Sequence, residues 1–404
     1  MKKSKTHLRS IACLLLGAAV GALAMPVSAA NLTAQLTATY RDIKLVVFGE
    51  EITPTDENGK SAEPFIVGDT TYLPIRAVSE ALGYDVSWDE ETNTVSIGYG
   101  WTPGNWMTPL DPPDAPSKTV TVSNAAELIR AIAPDTKIIL KAGKYDLSEA
   151  TRIANDYVTW ETYGSYYDER GSTAVISGVE GLTLEGEGGA GAVELVSPFR
   201  YESVLNFESC NGITLTNLKA GHSITGEYEC DQGVSNFYDT QNLLIEGCEF
   251  YGSGAWGLDF SYVLNVTVRD TTVTDCSFRA VRLDMSDAVT FEGCKFTDNR
   301  AYGDVISTSY SIFTLRDCEI SGNHGLLWGV FDLTVSDVTL DGCVITDNEN
   351  PAQLNESVFA GSAGYYGPVT LRLRDTTVDK AGFESYWTPS SQIVVDDQGG
   401  NTFQ

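Results

Sequence analysis

The chain has little of what metal, disulfide or redox chemistry draws on. Histidine occurs three times in 404 residues, at His7, His222 and His324. The eight cysteines include no C-x-x-C pair, so a zinc site of ordinary spacing is not expected. Basic residues are scarce, 26 against 55 acidic ones, for a formal net charge of -29. A field of that sign repels nucleic acid, anionic lipid and polyanionic polysaccharide unless a cation intervenes. After the first two dozen residues, no apolar run is long enough to span a bilayer.

Apolar residues make up 42% and charged residues 20%, which allows a sizeable core and argues against wholesale disorder. The length suits two or three domains. Residues 1–30 read as a secretory signal: Lys2, Lys3, Lys5 and Arg9, an apolar run from Ile11 to about Ala24, then the small residues Val27-Ser28-Ala29-Ala30. Its removal leaves 22 basic and 55 acidic residues, near -33, and seven cysteines. The expected product is secreted or extracellular, cell-wall associated or free, monomeric, and not inserted in a membrane.

Residues 36–98 read as a small α+β unit. "IKLVVFG" (43–49) is a strand, "EPFIVGDTTYLP" (63–74) a hairpin around Gly68-Asp69, and "IRAVSEAL" (75–82) a helix with Pro74 as its first residue and Ile75, Val78, Ala81 and Leu82 on one face. "YDVSW" and "TVSIG" form a second hairpin. The stretch "VGDTTYLPIRAVSEALGYDVSWDEETNTVSIG" resembles the copper amine oxidase-like N-terminal domain, a stalk module. That likeness implies attachment or spacing, not oxidation. The oxidase reaction needs an Asn-Tyr-Asp/Glu tripeptide and three histidine copper ligands, and the chain has neither. Arg76 is expected to be a structural ion-pair residue. Residues 99–118 hold five of the 14 prolines and read as a semi-rigid linker at a domain boundary, with Trp101 and Trp106 packing or sugar-binding.

Residues 119–404 repeat: "ITLTNLKA" (213–220), "LLIEGCEF" (243–250), "VTVRDTTV" (266–273), "VTFEGCKF" (289–296), "FTLRDCEI" (313–320), "VTLDGCVI" (338–345) and "LRLRDTTV" (371–378). Their sixth positions are Leu218, Cys248, Thr271, Cys294, Cys318, Cys343 and Thr376. A period near 24 with alternating apolar residues is the pattern of a solenoid built from strands. About nine coils of three short strands are expected, with Val281, Leu283, Val289, Phe291, Cys294 and Phe296 inward. The cysteine column reads as buried thiols, and disulfides between adjacent rungs such as Cys294–Cys318 are the rival reading. Asn299, Asn323 and Asn348, each five positions after a column cysteine, read as a stacked ladder in left-handed turns. "NAAELIRAI" (124–132), capped by Ser123, reads as a helix closing the open end.

This region resembles the right-handed parallel β-helix proteins of the pectate lyase-like superfamily. The expected fold class is therefore all-β, a single-stranded right-handed parallel β-helix with an N-terminal capping helix, preceded by the small stalk-like domain. The resemblance implies polysaccharide lyase, hydrolase or epimerase chemistry along one sheet. Its catalytic motifs do not transfer: Asp-Pro-His is absent, "GHS" (221–223) is only a fragment of the hydrolase pattern, and Asp396-Asp397 stands in the wrong context.

The register nominates residues instead. Twelve and ten positions before the column stand Asn236 and Tyr238, Asp259 and Ser261, Arg282 and Asp284, then Ile306 and Thr308. Asp259, Arg282 and Asp284 are expected on adjacent rungs of one exposed sheet. With a Ca²⁺ held by Asp259 and Asp284 they could supply base and electrophile to a lyase. The plain alternative is a cross-strand charge ladder. His222, in a long loop with Glu227, Glu229, Cys230 and Asp231, is a further catalytic candidate. Tyr157, Trp160, Tyr163, Tyr166, Tyr167, Tyr238 and Trp256 are candidate sugar-stacking residues. The leading expectation is a glycan-directed binding or structural module with a polysaccharide or cell-wall glycan as partner and no cofactor beyond Ca²⁺. The alternative is a polysaccharide lyase or hydrolase.

Overall fold

The computed structural model describes residues 37–47, 50–55, 60–82, 85–89, 94–98, 107–162, 171–189, 191–199, 201–223, 232–351, 357–362, 369–387 and 393–404. The chain divides into two compact units, Met1–Ile97 and Gly98–Gln404. Among the described residues no helix is long and apolar enough to cross a membrane.

In the first unit, Phe65–Val67 and Thr70–Tyr72 pair antiparallel about Gly68, whose φ of +60° suits glycine. Pro74 is the residue before helix Ile75–Ala81 rather than its first residue. Ile75 and Leu82, expected on the apolar face, are exposed. Arg76 has the expected structural role: it donates to the carbonyl of Val86 at 2.7 Å and lies 3.6 Å from Glu80, one turn on.

The second unit is a stack of coils with three sheets, parallel except for the antiparallel edge strand Val158–Glu161 of the first of them. Sheet A runs from Val158–Glu161 to Ser385–Trp387, sheet B from Lys118–Val122 to Ile393–Asp397, and sheet C from Gly143–Asp146 to Thr402–Phe403. Each coil visits A, B and C in turn, as in Leu205–Glu208, Asn211–Thr216 and Lys219–His222. Ten strands of sheet B belong to coils, against the nine expected. Lys118–Val122 and helix Ala125–Ala131 close the first coil. That helix is capped by Asn124, which accepts from Glu127 N, while Ser123 bonds back to the Glu127 carboxylate. The cap is thus one residue later than expected.

A single coil leaves half its side chains facing a dry axis with nothing opposite. Stacking at about 4.8 Å supplies the partner, so like residues meet in columns. Phe207, Phe237 and Phe260 stack with centroids 5.1 and 5.3 Å apart. Cys210, Cys248, Cys276, Cys294, Cys318 and Cys343 are all buried and free, so the disulfide reading does not hold for them. Cys248, Cys294, Cys318 and Cys343 each donate to the carbonyl two residues back, at 3.3 to 3.6 Å. Thr271 and Thr376 complete the column by accepting from the amides of Cys248 and Cys343.

The corner between sheets B and C alternates Asn217, Gly247, Asp270, Gly293, Asp317, Gly342 and Asp375, all at positive φ. The alternation has a steric cause. A Cβ on Gly342 would stand 2.4 Å from Asp317 Oδ1 in the coil before it, and one on Gly293 2.8 Å from Asp270 Oδ1. The Asn ladder is also present: Asn299 Nδ2 donates to Asn323 Oδ1 at 2.9 Å and Asn323 Nδ2 to Asn348 Oδ1 at 2.8 Å. The left-handed residues, however, are Asp298, Gly322 and Asp347, one position earlier. The amides point into the interior, where they satisfy backbone groups the corner leaves unpaired. On the outside of sheet B, Glu246, Arg269, Glu292, Arg316, Asp341 and Arg374 form a continuous row of ion pairs, the strands holding opposite charges one rung apart.

Part of the proline-rich segment is not a free linker. Thr108 O accepts from Gln241 Nε2, Leu110 O from Asn242 Nδ2, and Asp111 O from Asn211 Nδ2, at 3.0 to 3.1 Å. Residues 107–117 lie along the early coils as a strap, because amide side chains there serve a backbone that proline keeps out of any sheet. Trp101 and Trp106 fall outside the described residues.

The stack can be probed by its thiols and by its amide ladder. All six cysteines are buried, burial pushes the Cys248 and Cys276 thiols up to about 11, and only accessible thiolate alkylates; by burial alone the six should resist iodoacetamide in native protein at pH 8 and react fully in denaturant. Fast native labelling of Cys294 or Cys318 is incompatible with the column. Asn323→Ala removes the acceptor shared by the Asn299 backbone N–H and side-chain Nδ2, of which Nδ2 keeps only Val273 O, and should cost at least about 2 kcal/mol in urea unfolding, against about 0.5 kcal/mol or less for His324→Ala at the exposed neighbouring position.

Candidate functional site

The outer face of sheet A carries two columns of side chains. One runs Val175, Asn206, Asn236, Asp259, Arg282, Ser307, Asp332 and Ala360. The other runs Ser177, Glu208, Tyr238, Ser261, Asp284, Ser309, Thr334 and Ser362. Strand alternation places them outward because their neighbours Leu258, Phe260, Val281 and Leu283 fill the interior. Asp259 and Arg282 are register partners, as the sequence spacing requires. The expected outward pair Ile306 and Thr308 is not outward. Both are buried, and Ser307 and Ser309 face out. The left-handed residue Ala288, just before Val289, has no counterpart before Phe313, so this coil reaches sheet B one residue sooner.

Arg282 lies between two acids, 3.3 Å from Asp259 Oδ2 and 3.6 Å from Asp284 Oδ2. Its guanidinium carbon stands 5.1 Å from the Trp256 ring centre, a cation–π distance. Trp256 is fixed in turn: its Nε1 donates to Asn236 Oδ1 at 3.0 Å, and Gly233 leaves room for the ring edge, since a Cβ there would sit 2.4 Å from it. Asn236 Nδ2 donates to Ser203 Oγ and its backbone N–H to Asn206 Oδ1. Ser261 Oγ donates to Asp259 Oδ1 at 3.2 Å. A recess of 170 Å³ opens beside these groups, lined by Asn206, Glu208, Asn236, Tyr238, Asp259 and Ser261, with Phe207 and Phe237.

Asp259 is 8% exposed. Burial lifts its pKa to about 6, against the opposing pull of Arg282 and the Ser261 hydroxyl, with Asp284 adding to the rise. The carboxyl can therefore hold or release a proton near neutrality. Among the described residues no three His, Cys, Asp or Glu side chains gather as a metal would require. Between Asp259 and Asp284 the Arg282 guanidinium supplies the positive charge that the sequence assigned to Ca²⁺, so these two side chains do not fit that ion.

His222 is not in a loop and does not face the recess. It ends strand Lys219–His222, is buried, and its ring nitrogens lie 2.8 Å from Glu202 O and 3.0 Å from Gly252 O. Its one neutral-form N–H donates to one of these carbonyls, which anchors it between coils, and burial lowers its pKa. Glu227, Glu229, Cys230 and Asp231 lie outside the described residues, as do Tyr163, Tyr166 and Tyr167. Tyr157 and Trp160 pack against the core of the first coils; Trp160 lies opposite Ala174 on an edge strand that runs antiparallel to its neighbour. They are packing residues. Tyr238 is half-exposed, set edge-on to Tyr262 at 5.6 Å. Of the seven aromatic candidates, the described structure thus brings Tyr238 and Trp256 to the site.

The spacing argument does not reach a second cluster. Arg279, the register partner of Trp256, has its Nε 3.0 and 2.9 Å from the two carboxylate oxygens of buried Asp304. Burial raises Asp304 to about 6 despite Arg279, and raises Asp332 as well. The one-residue slip that misplaces Ile306 also hides Asp332. Applied one position later, the spacing finds it. Asp304 lies in a corner of variable length, where periodicity carries no signal.

Residues 203–372 match the family model of the right handed beta helix region, and residues 17–100 that of the copper amine oxidase N-terminal domain. The β-helix is therefore right-handed, and the copper amine oxidase-like N-terminal domain read from the sequence is matched as well. No curated protein matches the chain in sequence. Among solved structures it is similar to an alginate lyase from Paenibacillus sp. (14% identity, 71% of this chain and 95% of that one, TM-score 0.48). It is also similar to the pectate lyase Pel9A (11%, 71% and 80%, 0.45) and to the Aspergillus niger pectin methylesterase (14%, 70% and 93%, 0.44).

The raised Asp259 pKa makes a signed prediction. Its folded value lies above the unfolded one of about 3.9, so its contribution to stability is full below about pH 4 and is lost as pH rises through 6. Asp304 and Asp332 act in the same direction. Asp259→Asn should flatten, in part, the fall of unfolding free energy between about pH 4 and 6, measured by urea titration. An unchanged slope contradicts a desolvated Asp259.

Proposed function

We propose that this chain is an exported, glycan-directed protein that binds a saccharide chain along sheet A, with the first unit serving as attachment or spacer. The observation that carries this reading is the recess itself. Amide, hydroxyl and carboxyl groups of Asn206, Asn236, Ser261 and Asp259 converge there beside Tyr238 and Trp256. Sugar recognition calls for that combination: fixed polar groups for hydroxyls, and aromatic faces for the C–H side of the ring. The acidic charge and the basic-apolar-small start of the sequence support export.

One observation favours a second reading, hydrolysis. Asp259, with its pKa near 6 at the recess, has the proton affinity of a general acid–base residue. Lyase chemistry is less favoured, because an enolate needs a free cation opposite it and Arg282 is already shared by two carboxylates.

Binding is tested by retention on a glycan array and on cell-wall preparations. Trp256→Ala and Tyr238→Ala should each weaken retention about tenfold, as expected for lost aromatic anchors, with unfolding midpoints close to the parent. Release of products with saturated ends on the same glycans, abolished in Asp259→Asn, would establish hydrolysis, whereas unsaturated ends would show elimination. Retention that survives both aromatic variants rules out this face.

A further inference from the structure

We infer that the glycan of sheet A carries no carboxylate groups: it is a neutral or amino-substituted chain, not a polyuronate. This rests on the preceding reading of sheet A as the glycan face and adds the charge class of the ligand.

The outward columns of sheet A hold one cation, Arg282, and no lysine from Thr173–Ser177 through Ser357–Ser362. Arg282 is committed to Asp259 and Asp284. Arg279, at the edge of this sheet, is committed to Asp304. Within the outward columns no cation is left to receive a sugar carboxylate; the exposed Arg300 stands off the columns, in the corner that also carries Asp304. The acids outnumber their partners. Glu208 and Asp332 form no ion pair among the described residues. Both are raised by burial, Glu208 also by the negative charge of Glu161, while Arg279 opposes the rise at Asp332 from beyond ion-pair distance. One such acid stands on each side of the Asp259–Arg282–Asp284 group, so a chain lying along the sheet passes negative charge on both flanks. A uronate in every sugar would set carboxylate beside carboxylate in a half-desolvated recess, where repulsion is least screened. Hydroxyls meet no such opposition, and an ammonium would find Glu208 and Asp332 open. The net charge of -29 biases encounter the same way.

The experiment measures binding of hexasaccharides of glucose, N-acetylglucosamine, glucosamine, galacturonate and mannuronate beside a broad glycan array, with calcium and with chelator. At least one neutral or amino-sugar ligand should bind and be lost in Trp256→Ala. Both uronate hexamers should bind at least about tenfold more weakly with or without calcium. The double variant Glu208→Gln, Asp332→Asn should narrow that gap severalfold, by strengthening uronate binding or weakening that of glucosamine. Uronate binding equal to or tighter than the best uncharged ligand, with its loss in Trp256→Ala, overturns the charge assignment and leaves the glycan face intact. An array on which nothing is retained overturns the glycan reading, and this inference with it.

Discussion

Everything in the second unit depends on vertical registry between coils. The apolar residues of one coil have no partners within that coil. Their burial is complete only when the next coil presents side chains of matching size at the same height. That is why Phe207 stacks on Phe237 and Phe237 on Phe260, and why the cysteine column admits threonine but nothing larger than Leu218. A one-residue slip would turn every strand over and bury the charges of the outer face. Registry is therefore held by directional bonds as well as by packing. The Asn299–Asn323–Asn348 ladder fixes one corner, the alternation of acid or amide with glycine fixes another, and the ion-pair row on sheet B fixes the outside.

The same constraint governs what can be read from the sequence. Sheet B and its corner into sheet C repeat with two apolar positions, a two-residue turn and another apolar position, so Val289, Phe291, Cys294 and Phe296 stand out. Counting back from the column then reaches the outer face of sheet A: Thr271 sets the count for Asp259, and Cys294 sets it for Arg282 and Asp284. The count fails at Ile306 because the sheet B strand Ile312–Arg316 lacks the left-handed residue that Ala288 supplies inside strand Asp287–Glu292 one coil earlier. A missing residue at the start of a strand leaves the apolar alternation on both sides unchanged. The strands are therefore legible while their phase is not, and Asp332 is lost with the phase. His222 is misplaced for a related reason: its strand ends without a following repeat, so nothing in the sequence separates strand from loop.

The outer face of sheet A shows how a charged group behaves when registry fixes it. Asp259 cannot move to solvent, because the strand that carries it is pinned by Leu258 and Phe260 in the interior. Arg282 stands one rung above it and cannot leave either. The pair is partly desolvated, and burial outweighs the guanidinium in setting the Asp259 pKa. The same burial acts on thiols as on acids, since it also pushes Cys276 up to about 11. A rigid scaffold of this kind holds a proton affinity that a flexible loop would relax away.

Where a site can form on such a fold is itself a consequence of stacking. In the central coils, from Leu205 to Thr346, the corners from A to B and from B to C are two residues long, as between Ser261 and Leu264 or Arg269 and Thr272; they lengthen only toward the ends of the stack, to six residues between Gly186 and Val193 and between Ser362 and Val369. The corner from C to A varies freely, from four residues between Tyr251 and Trp256 to twelve between His222 and Ser235. Chain that stacking does not constrain therefore gathers at the leading edge of sheet A. Trp256 begins its strand there, Arg279 and Asp304 pair there, and Tyr302 and Trp328 are exposed there. In the central coils sheets B and C meet no such variable chain, and their outer faces carry charge rows that satisfy one another. The face beside the variable corners is the one that can change its ligand without changing the fold, and the one on which Glu208 and Asp332 remain without an ion-pair partner among the described residues.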